Sequence, residues 1–203
     1  MWGLVESGSI TKIINKPKAL VIGDVQYPAK IFSVWSMSEL NAIGIYEVIT
    51  DSTNYKDPAY YNNTNEQYNF ADGQVTKSWG TATAKRLNDE NAVDEDGNNL
   101  LDDDGNQVIN YGLKTEKKRI VKQQASGLLA PTDWYVVKST EVADYDIPAN
   151  VLSFRADVRT KSNEMETQID NCTTVDELKA LYEYTTQEDG TQTRLMPEFP
   201  KEI

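Results

Sequence analysis

Apolar positions in the first half of the chain alternate or gather in short runs, the period of half-buried strands. Residues 2 to 6 read as a strand, Ser7-Gly8-Ser9 as a turn, and 10 to 15 as a second strand carrying Ile10, Ile13 and Ile14, stopped by Lys16-Pro17. Residues 19 to 22 and 25 to 27 flank Gly23-Asp24, and Pro28, which cannot donate to a ladder, suits a strand end or an edge. Ser36-Met37-Ser38-Glu39 is a capping box: the serine hydroxyl can accept the third helical amide while Glu39 reaches back. With Leu40 and Ile43 on one face and Gly44 as a left-handed stop, this predicts a two-turn helix, then a strand over 45–50. Tyr55-Lys56-Asp57-Pro58 is a loop, and residues 60 to 70 and 74 to 83 flank Asp72-Gly73, a dipeptide suited to a primed hairpin turn.

From Leu113 the period becomes 3.6. Leu113, Ile120, Val121, Gln124, Ala125 and Leu128 form a stripe with lysines opposite, and the helix is expected to end before Pro131. Thr132-Asp133-Trp134 then reads as a turn and residues 135 to 137 as extended. Pro148 is tolerated at a first helical position, and Val151, Phe154, Arg155, Val158, Ser162, Met165 and Ile169 fall on one face of a helix of about six turns. Thr174-Val175-Asp176-Glu177 is a second capping box, opening a helix with Val175, Leu178 and Leu181 inward. A terminal hairpin is expected from 182–184 and 194–196 around Asp189-Gly190, before a tail containing Pro197 and Pro200. The fold class is therefore α+β. An N-terminal, mainly antiparallel β domain with one short helix spans 1–86, an acidic hairpin connector 87–111, and a helical module 112–203.

Charge and residue chemistry narrow the function. A formal charge of −12 opposes nucleic-acid binding, which depends on Lys and Arg displacing counterions. The charge is uneven: residues 88–106 hold eight acids and no base, while 114–122 hold Lys114, Lys117, Lys118, Arg119 and Lys122 against Glu116. These stretches read as solvated faces, or as partners within the chain or between copies, although exposed ion pairs contribute only about 0–1 kcal/mol each. The acidic stretch is nearly duplicated, 94–98 resembling 102–106, but it does not make calcium loops. Counting back from Gly97 and Gly105 puts Ala92 and Leu100 at the first ligand position, so two Asp-Gly turns are expected and no metal site. The chain has no histidine, which removes His-dependent nucleophilic catalysis, His-ligated zinc and the commonest neutral-pH base. Its single cysteine, Cys172, excludes an internal disulfide and reads as a small buried residue. No phosphate loop or activated nucleophile is present, so no catalytic residue, cofactor or enzymatic activity is expected. No apolar run could span a bilayer, and no cationic start precedes an apolar stretch as in a secretion signal.

The segment Leu128-Leu129-Ala130-Pro131-Thr132-Asp133-Trp134, followed by Phe154-Arg155 and Arg159, resembles the C-terminal module of bacteriophage tail assembly chaperones and tail-fibre-associated proteins, with Phe154 in place of the usual Tyr. The likeness spans roughly residues 113 to 170. It implies a non-enzymatic phage tail protein, located in the virion or in the host cytoplasm during assembly. Such a protein either assists tail or tail-fibre assembly or is retained in the particle, with tail or fibre proteins as partners and a homo-oligomer as an option. Four residues of this module are candidate contacts. Trp134 either fills the angle between helices, with Thr132 or Asp133 capping the turn, or anchors an interface. Arg155 and Arg159 share a face and could clamp a carboxylate such as Asp133. In the first half, Tyr60, Tyr61 and Tyr68 among asparagines form either a receptor- or glycan-binding surface at a tail tip, or a polar strand face.

Overall fold

The computed structural model describes residues 1–202, and the chain divides into two compact units, one covering 1–83 and the other beginning at Ala84. In the first, β1 (Trp2–Glu6) and β2 (Ser9–Ile14) form a hairpin closed by Ser7 and Gly8, both at positive φ. β3 (Leu20–Ile22) and β4 (Val25–Tyr27) pair in a second hairpin. β5 (Ile45–Thr50) lies antiparallel to β1, and β7 (Gln67–Ala71) is antiparallel to β8 (Gln74–Ser78) around Asp72 and Gly73, both at positive φ. The five-stranded sheet runs β2-β1-β5-β8-β7. It is not wholly antiparallel: β5 and β8 run parallel, with Val48 opposite Val75. A parallel neighbour needs a crossover, here the long return through β7, and no local pattern announces it. The Asp-Gly hairpin is also shorter than its flanking apolar residues suggest. Residues 61–62 and 83–84 instead form the two-residue strands β6 (Tyr61–Asn62) and β9 (Thr83–Ala84).

This unit's core is Leu4, Ile14, Leu20, Ile31, Leu40 and Ile45, covered by Trp2, Ile22, Tyr27, Phe32, Trp35 and Ile43. Ile31 and Phe32 come from α1 (Ile31–Val34), a helix absent from the sequence expectation: it has four residues, no side-chain cap and β-branched ends, so its packing rather than its propensity makes it helical. α2 (Met37–Ala42) follows its capping box, Glu39 N donating to Ser36 Oγ at 3.3 Å and Ser36 N to Glu39 Oε2 at 2.7 Å. The Ser36 amide and then the Ser36 hydroxyl, both donating to Glu39 Oε2, hold the Glu39 carboxyl below its ordinary pKa. Gly44 sits at φ +81°, and a Cβ there would stand 2.5 Å from the Val5 carbonyl oxygen.

The second unit opens with β10 (Glu90–Asn91), paired with β11 (Ile109–Asn110). Helix α3 (Leu113–Leu129) packs along α5 (Ala149–Asn171), with Ala125, Phe154 and Val158 buried together under Leu128, Leu129 and Phe199. The buried residues of α5 are the seven expected from the 3.6 period: Val151, Phe154, Arg155, Val158, Ser162, Met165 and Ile169. The stripe on α3 is narrower than expected. Val121 and Ala125 are buried, but Ile120 and Gln124 are exposed; Ile120 lies about 100° around the helix from Val121, at the edge of the contact. The lysines of α3 face acids of α5, Lys118 reaching Asp170 at 2.7 Å and Lys122 reaching Glu166 at 3.3 Å, rather than the acidic turns. Pro148 is the N-cap of α5, one position before the site expected for it.

α6 (Val175–Ala180) follows the second capping box, Glu177 N bonding Thr174 Oγ1 at 3.1 Å, with Val175 and Leu178 buried and Leu181 half-buried. The terminal hairpin pairs β12 (Thr185–Thr186) with β13 (Gln192–Thr193), closer to the Asp189-Gly190 turn than expected. Gly127 is the residue of α3 with the poorest helix propensity. It is exposed and a Cβ there would meet nothing within 4 Å. Gly127→Ala is therefore expected to raise the unfolding free energy by about 0.5–1 kcal/mol, measured by urea denaturation; a decrease would show that the site is not open helix surface.

Candidate interaction surface

Arg155 lies in the apolar stripe of α5 with its side chain only 8% exposed, a position a guanidinium can hold only if its donors are met. The end of α3 meets them. One guanidinium nitrogen donates to the Leu129 carbonyl at 3.0 Å and to Thr132 Oγ1 at 2.6 Å; the other reaches Asp133 Oδ1 at 2.8 Å. The Thr132 hydroxyl itself donates to Leu129 O at 2.8 Å. Leu129, Thr132, Asp133 and Arg155 thus form one clamp, with Ala130–Thr132 as a single 3-10 turn. The expected Asp133 pairing holds for Arg155 but not for Arg159. The Arg159 guanidinium turns back to the Arg155 carbonyl at 3.2 Å, so the two arginines do not grip one carboxylate.

Two local expectations are corrected at this corner. Residues 132–134 are not a simple turn and 135–137 are not extended: α4 (Asp133–Glu141) runs straight on from the 3-10 turn. Pro131 sits at the first positions of that turn, where its fixed φ is helical and its missing amide costs nothing. The β-branched penalty of Val136 and Val137, a few tenths of a kcal/mol each, is too small to prevent the continuation. Neither Thr132 nor Asp133 caps α4 through its side chain.

Trp134 also does not fill the angle between the helices. It is 51% exposed, its indole stacked on the Tyr135 ring with centroids 3.8 Å apart. Lys138 Nζ lies over the Tyr145 ring at 4.1 Å and over Trp134 at 5.8 Å. α4 buries none of its residues. Val136, Val137 and Val142 are exposed as well, while the hydroxyls of Ser139 and Thr140 are turned back to the carbonyls of Val136 and Val137. The polar groups of this helix are thus partly occupied within it, and much of the surface it presents is apolar. The exposure of these valines on a helix was not legible because a Tyr-Val-Val run reads as a strand.

Tyr60, Tyr61 and Tyr68 do not share one exposed face, either as a binding surface or as a polar strand face. Tyr60 and Tyr61 are 5% and 4% exposed, packed inside. Tyr68 is half-buried and donates to Glu66 Oε1 at 2.8 Å; burial, and then that carboxylate, push its phenol pKa up. The neighbouring asparagines staple loops: Asn63 accepts from the Lys56 amide at 2.9 Å and donates to the Lys56 carbonyl at 2.7 Å. Tyr55, stacked on Trp79 with centroids 4.7 Å apart, is the exposed ring of the segment. A period-2 pattern cannot separate an exposed tyrosine row from a buried one, because the residue is amphipathic.

Cys172 is buried, its thiol against the Gln168 carbonyl at 3.3 Å, and burial raises its pKa, away from nucleophilic reactivity. Asp94 and Asp102 each accept amides of their own turns, and those bonds lower both pKa values. Among the described residues no group of His, Cys, Asp and Glu is placed to hold a metal ion, and no helix is long and apolar enough to cross a membrane. No family model matches the chain, and no curated protein or solved structure matches it either.

Proposed function

We propose that this chain is a non-enzymatic bacteriophage tail protein that works through protein–protein contacts, with α4 as its contact element and tail or tail-fibre proteins as its partners. The observation that carries the reading is a nine-residue helix that buries none of its own residues yet is fixed at its base by a buried arginine. A helix this short is marginal in water by itself, and an exposed Trp among valines is the composition of an interface anchor. The resemblance of the Leu-Leu-x-x-Thr-Asp-Trp corner to tail assembly chaperones supplies the setting. In that setting the apolar helix covers an exposed strand edge or apolar face of a tail subunit until assembly buries it, or stays bound in the particle.

The test is a Trp134→Ala/Val137→Ser variant in the phage that encodes the chain. Both side chains are exposed, so stability should change by no more than about 0.5 kcal/mol, while co-purification with tail protein and the yield of infectious particles should fall at least tenfold. Normal particles from the variant, or from a deletion, would refute the reading. Peptide mass spectrometry of purified virions separates the two forms of the role, since a retained component is present at fixed stoichiometry and a chaperone is absent.

A further inference from the structure

The acidic stretch folds as two copies of one rigid turn. Val93 bridges Asn99 and Leu101 bridges Gln107 in the same register. Asp94 Oδ1 accepts the amides of Asp96 and Asn98 at 3.0 and 2.8 Å, and Asp102 Oδ1 accepts those of Asp104 and Asn106 at the same distances. A closed ring of backbone bonds ties the turns together: Leu100 N to Ala92 O, Val108 N to Leu100 O, and Ala92 N to Val108 O, at 2.8–2.9 Å. This frame holds Glu95, Asp96, Asp103 and Asp104 exposed and outside any ion pair among the described residues. The same frame leaves three apolar side chains exposed, Val93, Leu100 and Leu101.

The same unit carries the complementary surface. An open groove of about 640 Å³ runs along α3; its charged lining is Lys118, Arg119 and Lys122 with the single acid Glu116, and Tyr111 is among its other lining residues. The Arg119 and Lys122 side chains are 56% and 67% exposed. Each cation has a carboxylate of its own in the unit: Arg119 pairs with Glu116, Lys118 with Asp170 and Lys122 with Glu166, whose side chain is 21% exposed. Ion pairs at a surface contribute little to stability, so an incoming carboxylate can share these donors at little cost. Tyr111 is 62% exposed, so the groove is not filled by the chain's own turns.

We propose that the occupant of this groove is a second copy of the chain: the acidic turns of one copy, with Val93 and Leu101, seat on α3 of the other, and the contact is repeated reciprocally about a two-fold axis. Two copies of charge −12 repel in most orientations. Juxtaposing the stretch that has acids but no base with the most basic stretch is the arrangement in which charge favours association and fixes register. The contact covers the exposed apolar residues of the turns and uses none of the α4 side chains proposed to bind tail proteins.

The test is sedimentation of the full chain over a concentration series. The wild type should dimerise. Changing Glu95→Gln, Asp96→Asn, Asp103→Asn and Asp104→Asn removes four negative charges. If these carboxylates only solvate and repel, the variant associates more strongly than wild type; if they dock, it associates at least about tenfold more weakly. A groove variant, Lys118→Glu/Arg119→Glu/Lys122→Glu, should be monomeric, and mixing it with Glu95→Lys/Asp103→Lys should restore a heterodimer. That restoration also shows both variants to be folded. A monomeric wild type, a neutralised-turn variant that associates as well as wild type or better, or a mixture that stays monomeric overturns the proposal. Trp134→Ala/Val137→Ser should dimerise normally, so failure here and failure of the tail-protein reading are distinguishable.

Discussion

Truncating Arg155 to alanine should destabilise the second unit by about 2–4 kcal/mol, the cost of a cavity where a long buried stem packed plus the loss of charge-assisted hydrogen bonds. The bonds lost are those to Leu129 O, Thr132 Oγ1 and Asp133 Oδ1. Arg155→Met separates the two contributions by restoring apolar volume without donors, and should recover about half of the loss. Asp133→Asn should cost less, about 1 kcal/mol, because the Asp133 side chain is 59% exposed and its charge is screened by water. The more specific result concerns α4. With its base released, nothing in the unit buries this helix, so amide exchange across 133–141 should approach that of unfolded chain in Arg155→Ala while Val158 and Ile169, both 0% exposed, stay protected. A change below about 0.5 kcal/mol with α4 still protected would mean that the clamp does not position the helix.

The clamp also shows what could be read from residues alone. The buried face of α5 was legible in full, including its two polar members, because a helix face is a local, periodic property. Arg155 and Ser162 in that stripe were themselves a signal: a buried arginine requires partners, and Asp133 was the nearest acid of the resembling motif. Both capping boxes were legible for the same reason, since four consecutive residues contain the whole interaction. What failed was non-local or amphipathic. The direction of β8 depends on where the chain returns after β5, the burial of Tyr60 and Tyr61 depends on what covers them, and α1 is helical because Ile31 and Phe32 pack on the first core. Trp134 was misplaced for a related reason. A large aromatic at a corner can end up buried or exposed, and only the continuation of the chain as α4 decides between the two. The residues that sequence reasoning misassigned around it, Val136 and Val137, are those whose strand propensity was overridden by a rigid turn.

The junction between the acidic turns and α3 offers the sharpest test of backbone fit. A helix begins with amides that have no partner inside it, and Gly112, the N-cap of α3, has no side chain to supply one. The segment before β10 does so instead. Asp89 Oδ1 accepts the Gly112 amide at 2.7 Å, the Arg86 carbonyl accepts that of Leu113 at 2.9 Å, and the Leu87 carbonyl accepts that of Lys114 at 3.1 Å. Asp89 Oδ2 also takes the Thr115 hydroxyl at 2.9 Å. This approach is possible only without a Cβ at 112. One placed there would stand 2.4 and 2.5 Å from the Asn88 carbonyl carbon and oxygen and 2.6 Å from the Leu87 oxygen, all of them backbone atoms that no rotamer change can move. Gly112→Ala should therefore cost about 3 kcal/mol or more, adding overpacking strain to the loss of two or three amide bonds, although alanine is the better helix former. Asp89→Ala, which removes a side-chain cap and leaves the backbone contacts in place, should cost only about 1–2 kcal/mol. If Gly112→Ala proved as mild as Gly97→Ala, where the strain is a positive φ in open space, the close approach of 86–89 to the start of α3 would be refuted.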